Sequence, residues 1–184
     1  MTFPDTMAAL QEAEKLIIQL IEDEAAWKTL DITYEKPRVQ RVWRPLDGLL
    51  DGLFDGYRLS LHRIHPCAEG ESYMHPHTWA AAMRMLAGRY EMVTGYGEGL
   101  EPVILGKSIL MPGSYYSMEH PNYFHSVRPL DDKPADSVMI SGRPTGRRMP
   151  IENPTHGLGS LSSNEIAAIM ESAWQFYQNL LKGQ

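Results

Sequence analysis

Apolar residues return every three or four positions between residues 6 and 27, at Met7, Leu10, Ala13, Ile17, Leu20, Ile21 and Ala25, while Glu12, Glu14, Lys15, Glu22 and Asp23 fall largely on the other side. That period predicts an amphipathic α-helix. A second stripe, Ile166, Ile169, Met170, Ala173, Trp174, Tyr177 and Leu181, follows the run Ser162-Ser-Asn-Glu165. Ser162 and Glu165 have the spacing of a capping box, and Leu161 stands where it can staple against Ile166, so a helix is predicted to start here. Between the helices the pattern shortens to β-like pieces punctuated by Gly and Pro, at 32–34, 39–43, 57–65, 73–77, 81–92, 103–105, 109–111, 115–118, 124–128 and 137–141. Many short strands at close spacing imply a sandwich or barrel. The expected fold is an all-β core with flanking N- and C-terminal helices: a helix in residues 1–30, a barrel in 31–145, and a surface loop and helix in 146–184 of a single domain. The stretch Pro144 to Gly159, with Arg147, Arg148, Pro150, Asn153, Pro154 and His156, reads as an ordered loop crossing the surface.

Composition narrows the partners. A chain of 184 residues can bury roughly 70 % of its unfolded surface, enough for one core. Acidic side chains outnumber basic ones, 23 to 17, and no Lys/Arg-rich stretch offers a footprint for nucleic acid. No apolar run approaches the ~20 residues of a membrane span. The single cysteine, Cys67, allows no internal disulfide, and the first residues lack a positive segment followed by an apolar one. The expectation is a cytoplasmic protein whose partners are a small molecule and a second copy of itself. A homodimer is anticipated because Trp174, Phe176 and Tyr177 spread around much of the last helix.

Candidate chemistry centres on His75 and His77, which alternate along a predicted strand and so leave it from the same face. Two imidazoles on one rigid element make half a site for a divalent transition metal. Their surroundings resemble the cupin superfamily, whose first motif runs Gly, about five residues, His-x-His, three or four residues, Glu, six residues, Gly. Gly70, His75, His77, Ala81 and Gly88 occupy those places, with Ala81 where the glutamate is usual. A second cupin motif is similar to Gly106-Lys-Ser-Ile-Leu-Met-Pro112-Gly113, followed after an insertion by His125. Together the motifs cover roughly residues 55–143. The resemblance implies a double-stranded β-helix, the jelly-roll barrel, holding one divalent metal. The missing glutamate, the run from His75 to Glu91 and the later Phe124-His125-Ser126-Val127 look like the thiol dioxygenases of the cysteine dioxygenase type. That likeness implies His75, His77 and His125 as ligands of mononuclear Fe(II). The chain departs from that family at its substrate-reading arginine and its late catalytic tyrosine, neither of which has a clear match here.

Three neutral ligands leave the whole double charge of the ion for incoming groups, so an anionic chelator such as a thiolate, enolate or carboxylate is the expected substrate. Zinc or nickel with non-redox chemistry is the alternative, and hydrolysis would need a carboxylate base, for which Glu69, Glu71 and Glu119 are candidates. His120 competes with His125 for the third ligand position, but it precedes a proline and reads as a turn residue that could stand at the pocket mouth. On the strand at 57–65, Arg58, Ser60 and His62 share one face, and Arg63 and His65 the other. Whichever face points inward brings a cation toward a substrate carboxylate, so Arg63 and His62 join His120 as candidate catalytic residues. Trp79, Tyr90, Tyr96, Tyr115, Tyr116 and Tyr123 read mainly as packing residues, one of the tyrosines being a candidate pocket donor. Met83, Met85 and Met92 read as core filling, and Cys67 as a thiol without a role. Three function classes follow: an iron dioxygenase, a zinc or nickel isomerase, lyase or hydrolase, and a regulatory protein that binds a small molecule without turning it over.

Overall fold

The first helix, α1 (Thr6–Glu22), opens where the Asp5 carboxylate accepts from the Ala8 amide at 2.8 Å, closing an N-cap. In the computed structural model, which describes residues 5–99, 101–144 and 157–183, α1 stops short of the predicted end. The Leu20 carbonyl is taken by the Trp27 indole at 2.8 Å and by Arg44 at 3.0 Å, so tertiary donors replace the next turn. A 3-10 turn, Glu24–Ala26, leads into the strands.

These are β1 (Lys28–Ile32), β2 (Val39–Pro45), β3 (Arg58–Ile64), β4 (His75–Pro76), β5 (Trp79–Ala87), β6 (Tyr90–Tyr96), β7 (Val103–Leu110), β8 (Tyr115–Met118), β9 (Tyr123–Pro129), β10 (Ala135–Pro144) and β11 (Leu158–Gly159), and α2 (Ser163–Lys182) follows. The apolar run 81–92 breaks into β5 and β6 at Gly88. Its φ is +68°, and an added Cβ would lie 2.5 Å from the Pro134 carbonyl oxygen, so no larger residue fits the turn. The pieces at 103–105 and 109–111 are instead one strand, β7, with a bulge opposite Thr94 and Gly95 that shifts its alternation midway.

The strands form two antiparallel sheets with orders β11-β1-β2-β3-β10-β5-β8 and β4-β9-β6-β7. Counted from β3, the central eight strands run 1-8-3-6 and 2-7-4-5, which is the jelly-roll order anticipated from the sequence. The helices cover the outer face of the larger sheet. There Val42, Leu59, Leu61, Ala82, Leu86, Val138 and Ile140 pack with Leu10, Ala13 and Ile17 of α1 and Ile169, Ala173 and Tyr177 of α2. The inner face meets the smaller sheet through Ile64, Met85, Tyr90, Met92 and Val127, so Met85 and Met92 do fill core. Residues 145–156, which include most of the expected Pro144–Gly159 loop, lie outside the described residues. Among the described residues no helix is long and apolar enough to cross a membrane.

The capping box at α2 forms as expected, with Ser162 and Glu165 exchanging hydrogen bonds. The backbone and side chain of Ser162, and then Arg38, hold the Glu165 carboxyl at about 2, against an ordinary 4.5. A folded-state value below the unfolded one stabilises the fold above the unfolded pKa, and that support is lost as pH falls through the folded value. Glu165→Gln is therefore expected to lower the melting temperature at pH 7 and to differ less from the parent at pH 3, read by circular dichroism.

Candidate metal centre

The short strand β4 pairs with β9 so that His75 stands directly opposite His125, while His125 also faces Thr94 of β6. His77 follows two residues after His75, and the two rings stack 5.4 Å apart. The period-2 geometry of the His-x-His run thus delivers both side chains to the inside of the barrel, where His125 closes the group. One nitrogen from each of the three rings lies within 4.8 Å of the others.

The donors fit a shared cation. His75 Nδ1 donates to the Tyr73 carbonyl at 3.1 Å, which sets the tautomer and turns the Nε2 lone pair to the centre. His77 Nε2 and His125 Nε2 face each other at 3.1 Å. Two nitrogens ~2.1 Å from one ion at a right angle stand about 3.0 Å apart, so this separation is that of neighbouring ligands. The Nδ1 atoms of His77 and His125 are buried and have no hydrogen-bond partner among the described residues, so nothing fixes their tautomers as the Tyr73 carbonyl fixes that of His75. Burial, more than any neighbour, holds all three imidazoles below the ordinary histidine value. They are neutral at pH 7, the form that ligates metal.

Ala81, at the position of the missing glutamate, is completely buried with Met83 and Met139, against Trp79 and Tyr116. That wall carries no carboxylate. Tyr116 reaches to 6.0 Å of the His125 ring, but its hydroxyl accepts from Tyr90 and donates to the Met83 sulfur, so it is held as packing.

The remaining candidates are dispersed. Arg63 points to the helix side, in a two-pronged pair with Asp136 at 2.9 and 2.7 Å and a contact to the Ala168 carbonyl of α2. It ties a helix to the sheet, away from the histidines. His62 points inward, and burial and Arg41 hold it well below the usual histidine value. His120 sits in the turn before β9, with Nδ1 accepting from the Asn122 amide and its ring near Tyr96 and Tyr123. Tyr123 and Tyr96 share the inward face two residues beyond His125 and Thr94, which places His120 at the rim. Of the carboxylates considered as bases, Glu71 pairs with Lys36, Glu119 holds the start of α1 at Thr6, and Glu69 lines a charged cleft with Glu91, Lys107 and Arg128. A groove lined by the end of α1, the 3-10 turn, β1 and α2 contains none of the histidines.

Arg41 was not foreseen. It lies across from His62 on β2, and its Nε donates to His62 Nε2 at 2.8 Å. Val39 shares its face and packs on the inner core, which puts Arg41 inside the barrel. No carboxylate pairs with it among the described residues. Burial lowers its pKa, opposed by Tyr34 and Glu35. Glu35, half-buried, is raised by burial and opposed by Arg41. The run Val39-Gln-Arg-Val-Trp-Arg-Pro45 has an arginine on each face, so alternation could nominate Arg41 or Arg44 but not choose.

No protein-family model and no curated protein matches the chain. Among solved structures, hydroxypropylphosphonic acid epoxidase from S. wedmorenis is 11% identical over 64% of this chain and 56% of its own, with a TM-score of 0.45. The Cnp3 cupin domain of Schizosaccharomyces pombe is 9% identical over 58% of this chain and 62% of its own, with a TM-score of 0.43. HppE with Fe(II) and the alternative substrate (S)-1-HPP is 13% identical over 55% and 49%, with a TM-score of 0.42. The chain thus spans about half to three fifths of the length of these proteins.

Proposed function

We propose that the protein is a metal-dependent jelly-roll enzyme in which His75, His77 and His125 hold one divalent ion, Fe(II), for the oxidation of a small anionic organic molecule by dioxygen. The observation that carries this reading is the convergence of three neutral imidazoles in a barrel that also contains Arg41, a guanidinium bonded to His62 and without a carboxylate ion pair among the described residues. Bound ferrous iron would supply the redox chemistry, at positions that three protein ligands leave open.

The rest is work for the chain's own residues. Arg41 provides a planar fork of donors suited to a carboxylate or another oxyanion. His62, neutral because burial and Arg41 depress it, accepts from Arg41 Nε and keeps the guanidinium in one orientation. Ala81, Met83 and Met139 make a wall that offers water no hydrogen bond, Glu71 and Glu119 are engaged elsewhere, and Glu69 lines a cleft that contains none of the three histidines. Those placements favour oxidation over hydrolysis.

The test is metal content of protein purified air-free without added metal or a histidine tag, followed by oxygen uptake of the ferrous-loaded protein with thiols, diketones and enolic acids. Uptake with one such anion is expected. Tightly held zinc or nickel with oxygen-insensitive activity would move the assignment to an isomerase, lyase or hydrolase, and absence of retained metal would favour a binding protein. Once a substrate is found, Arg41→Gln is expected to raise KM about 10–100-fold with little change in kcat, the pattern of lost uniform binding.

A further inference from the structure

Three cations gather on the face of the larger sheet that looks away from the helices. Val42, Leu59 and Leu61 face the helices, so alternation sends Arg41 and Trp43 of β2 and Arg58 of β3 the other way. Lys28 of β1 pairs directly with Trp43 and shares that face. Its ammonium stands 5.0 Å from the centre of the Trp43 ring, and the Arg58 guanidinium 5.4 Å. Lys28 and Arg58 are exposed and Trp43 is half-buried, so solvent reaches this part of the sheet. The gathering is selective in a chain of net charge -6. Nine of the fifteen Lys and Arg side chains among the described residues have a carboxylate partner, and Lys28, Arg41 and Arg58 are three of the six that do not. Two acids of the loop before β3, Asp47 and Asp55, accept instead from the Gly56 and Gly48 amides at 2.7 and 2.8 Å. Glu35 is the carboxylate whose charge Arg41 feels, and the two form no ion pair. The positive field is continuous with the histidines: Arg58 adds to it at Arg41, and Arg41 at His75 and His77.

We propose, on the reading that Arg41 holds one oxyanion of the substrate, that this face is a second anion subsite, so that the substrate carries two separated oxyanion groups, one at Arg41 and one at Lys28 and Arg58, with the atoms between them against Trp43. Like charges held side by side repel, and a ligand of opposite charge relieves them. A single carboxylate balances only one of the three positive charges. The spacing also asks for two groups. Arg41 lies opposite His62, and Arg58 leaves β3 four residues before it, roughly 14 Å along the strand, with Trp43 between the two levels. The place of Arg41 inside the barrel confines the ligand to a small molecule, and the indole offers its middle an apolar surface. The planar forks of Arg41 and Arg58 suit carboxylate or phosphate oxygens at either end.

Isothermal titration calorimetry of the full chain at fixed ionic strength tests this subsite. Butyrate serves as the probe with one oxyanion, and succinate, glutarate, adipate and 3-phosphonopropionate as probes with two, differing in length and end group. At least one of the latter is expected to bind about fivefold or more tighter than butyrate, the gain that a second, partly solvated charge contact provides. Lys28→Gln/Arg58→Gln is expected to remove that advantage and leave butyrate binding unchanged, and Arg41→Gln to weaken both kinds of probe. If no probe with two oxyanions binds more tightly than butyrate to the parent, the subsite is overturned. Equal loss of both kinds in the Lys28/Arg58 variant also overturns it, because a general field acts on every anion alike. His75→Ala/His77→Ala keeps the outcome apart from the proposed iron chemistry. The preference for two oxyanions is expected to survive in that variant, and its disappearance would place the second group at the ion and overturn the subsite. A parent without metal would end the oxidation reading and leave the subsite to be decided by the same titrations.

Discussion

His125→Ala is expected to lower metal content from near one ion per chain to a trace, with affinity reduced more than the ~10–100-fold typical of removing a group that only orients a ligand. The reason is geometric. His125 stands across from His75 in the β4–β9 pairing and 3.1 Å from His77 Nε2, so alanine leaves two nitrogens and an opening on the β9 side. Mass spectrometry of metal in parallel preparations reads the outcome. His62→Ala and His120→Ala serve as comparisons, since His62 bonds Arg41 and His120 sits at the rim, and both are expected to keep the ion. Equal loss in all three would show that the barrel had been disturbed generally; retention in His125→Ala would remove it as a ligand. Acidification should agree. Burial depresses all three imidazoles, so protons compete less well for their nitrogens, and retention is expected to persist to lower pH than ordinary histidines would allow.

The second large effect lies on the opposite side of the larger sheet. Glu14 of α1 accepts from Arg84 of β5 at 3.2 Å, Tyr115 of β8 at 2.6 Å and Tyr177 of α2 at 2.6 Å. Arg84 is sandwiched by the rings of Tyr115 and Phe176, 4.6 and 4.9 Å away. One carboxylate therefore joins both helices to two strands. Its side chain and that of Arg84 are only 10 and 14 % exposed, so Glu14→Ala leaves a mostly buried cation without its counter-charge. Removing one member of a buried pair costs about 3–5 kcal/mol, a large share of the stability of an ordinary domain. Urea unfolding followed by tryptophan fluorescence measures it. Tyr177→Phe, which removes a single hydrogen bond to the carboxylate, is expected to cost about 1 kcal/mol. Equal losses in the two variants would show that the charge is not what matters.

Glu14 also shows where periodicity stops being informative. On the helix wheel it falls among the polar residues, and nothing local distinguishes it from Glu12, which pairs only with exposed Lys15. Its role depends on Arg84, Tyr115 and Tyr177, which are 70, 101 and 163 positions away. The strand at 58–64 poses the same difficulty. Alternation separated the face of Ser60 and His62 from that of Arg63, but whether Arg63 looked toward the site or toward α2 depended on which side of the sheet the helices covered.

Read alone, the sequence determined the two helices, the capping box of α2, the all-β core between them and the pairing of His75 with His77, because each follows from side-chain period or from neighbours a few residues apart. The tertiary structure decided what depends on contacts between distant segments. It split the 81–92 run at Gly88, where the Pro134 carbonyl leaves no room for a Cβ, and set His125 rather than His120 beside the His-x-His pair through the β4–β9 register. It also turned Arg41 inward and Arg63 outward, and left β7 as an uncovered apolar edge. Local pattern assigns a residue to a face of its strand; only packing against the rest of the chain determines what that face meets.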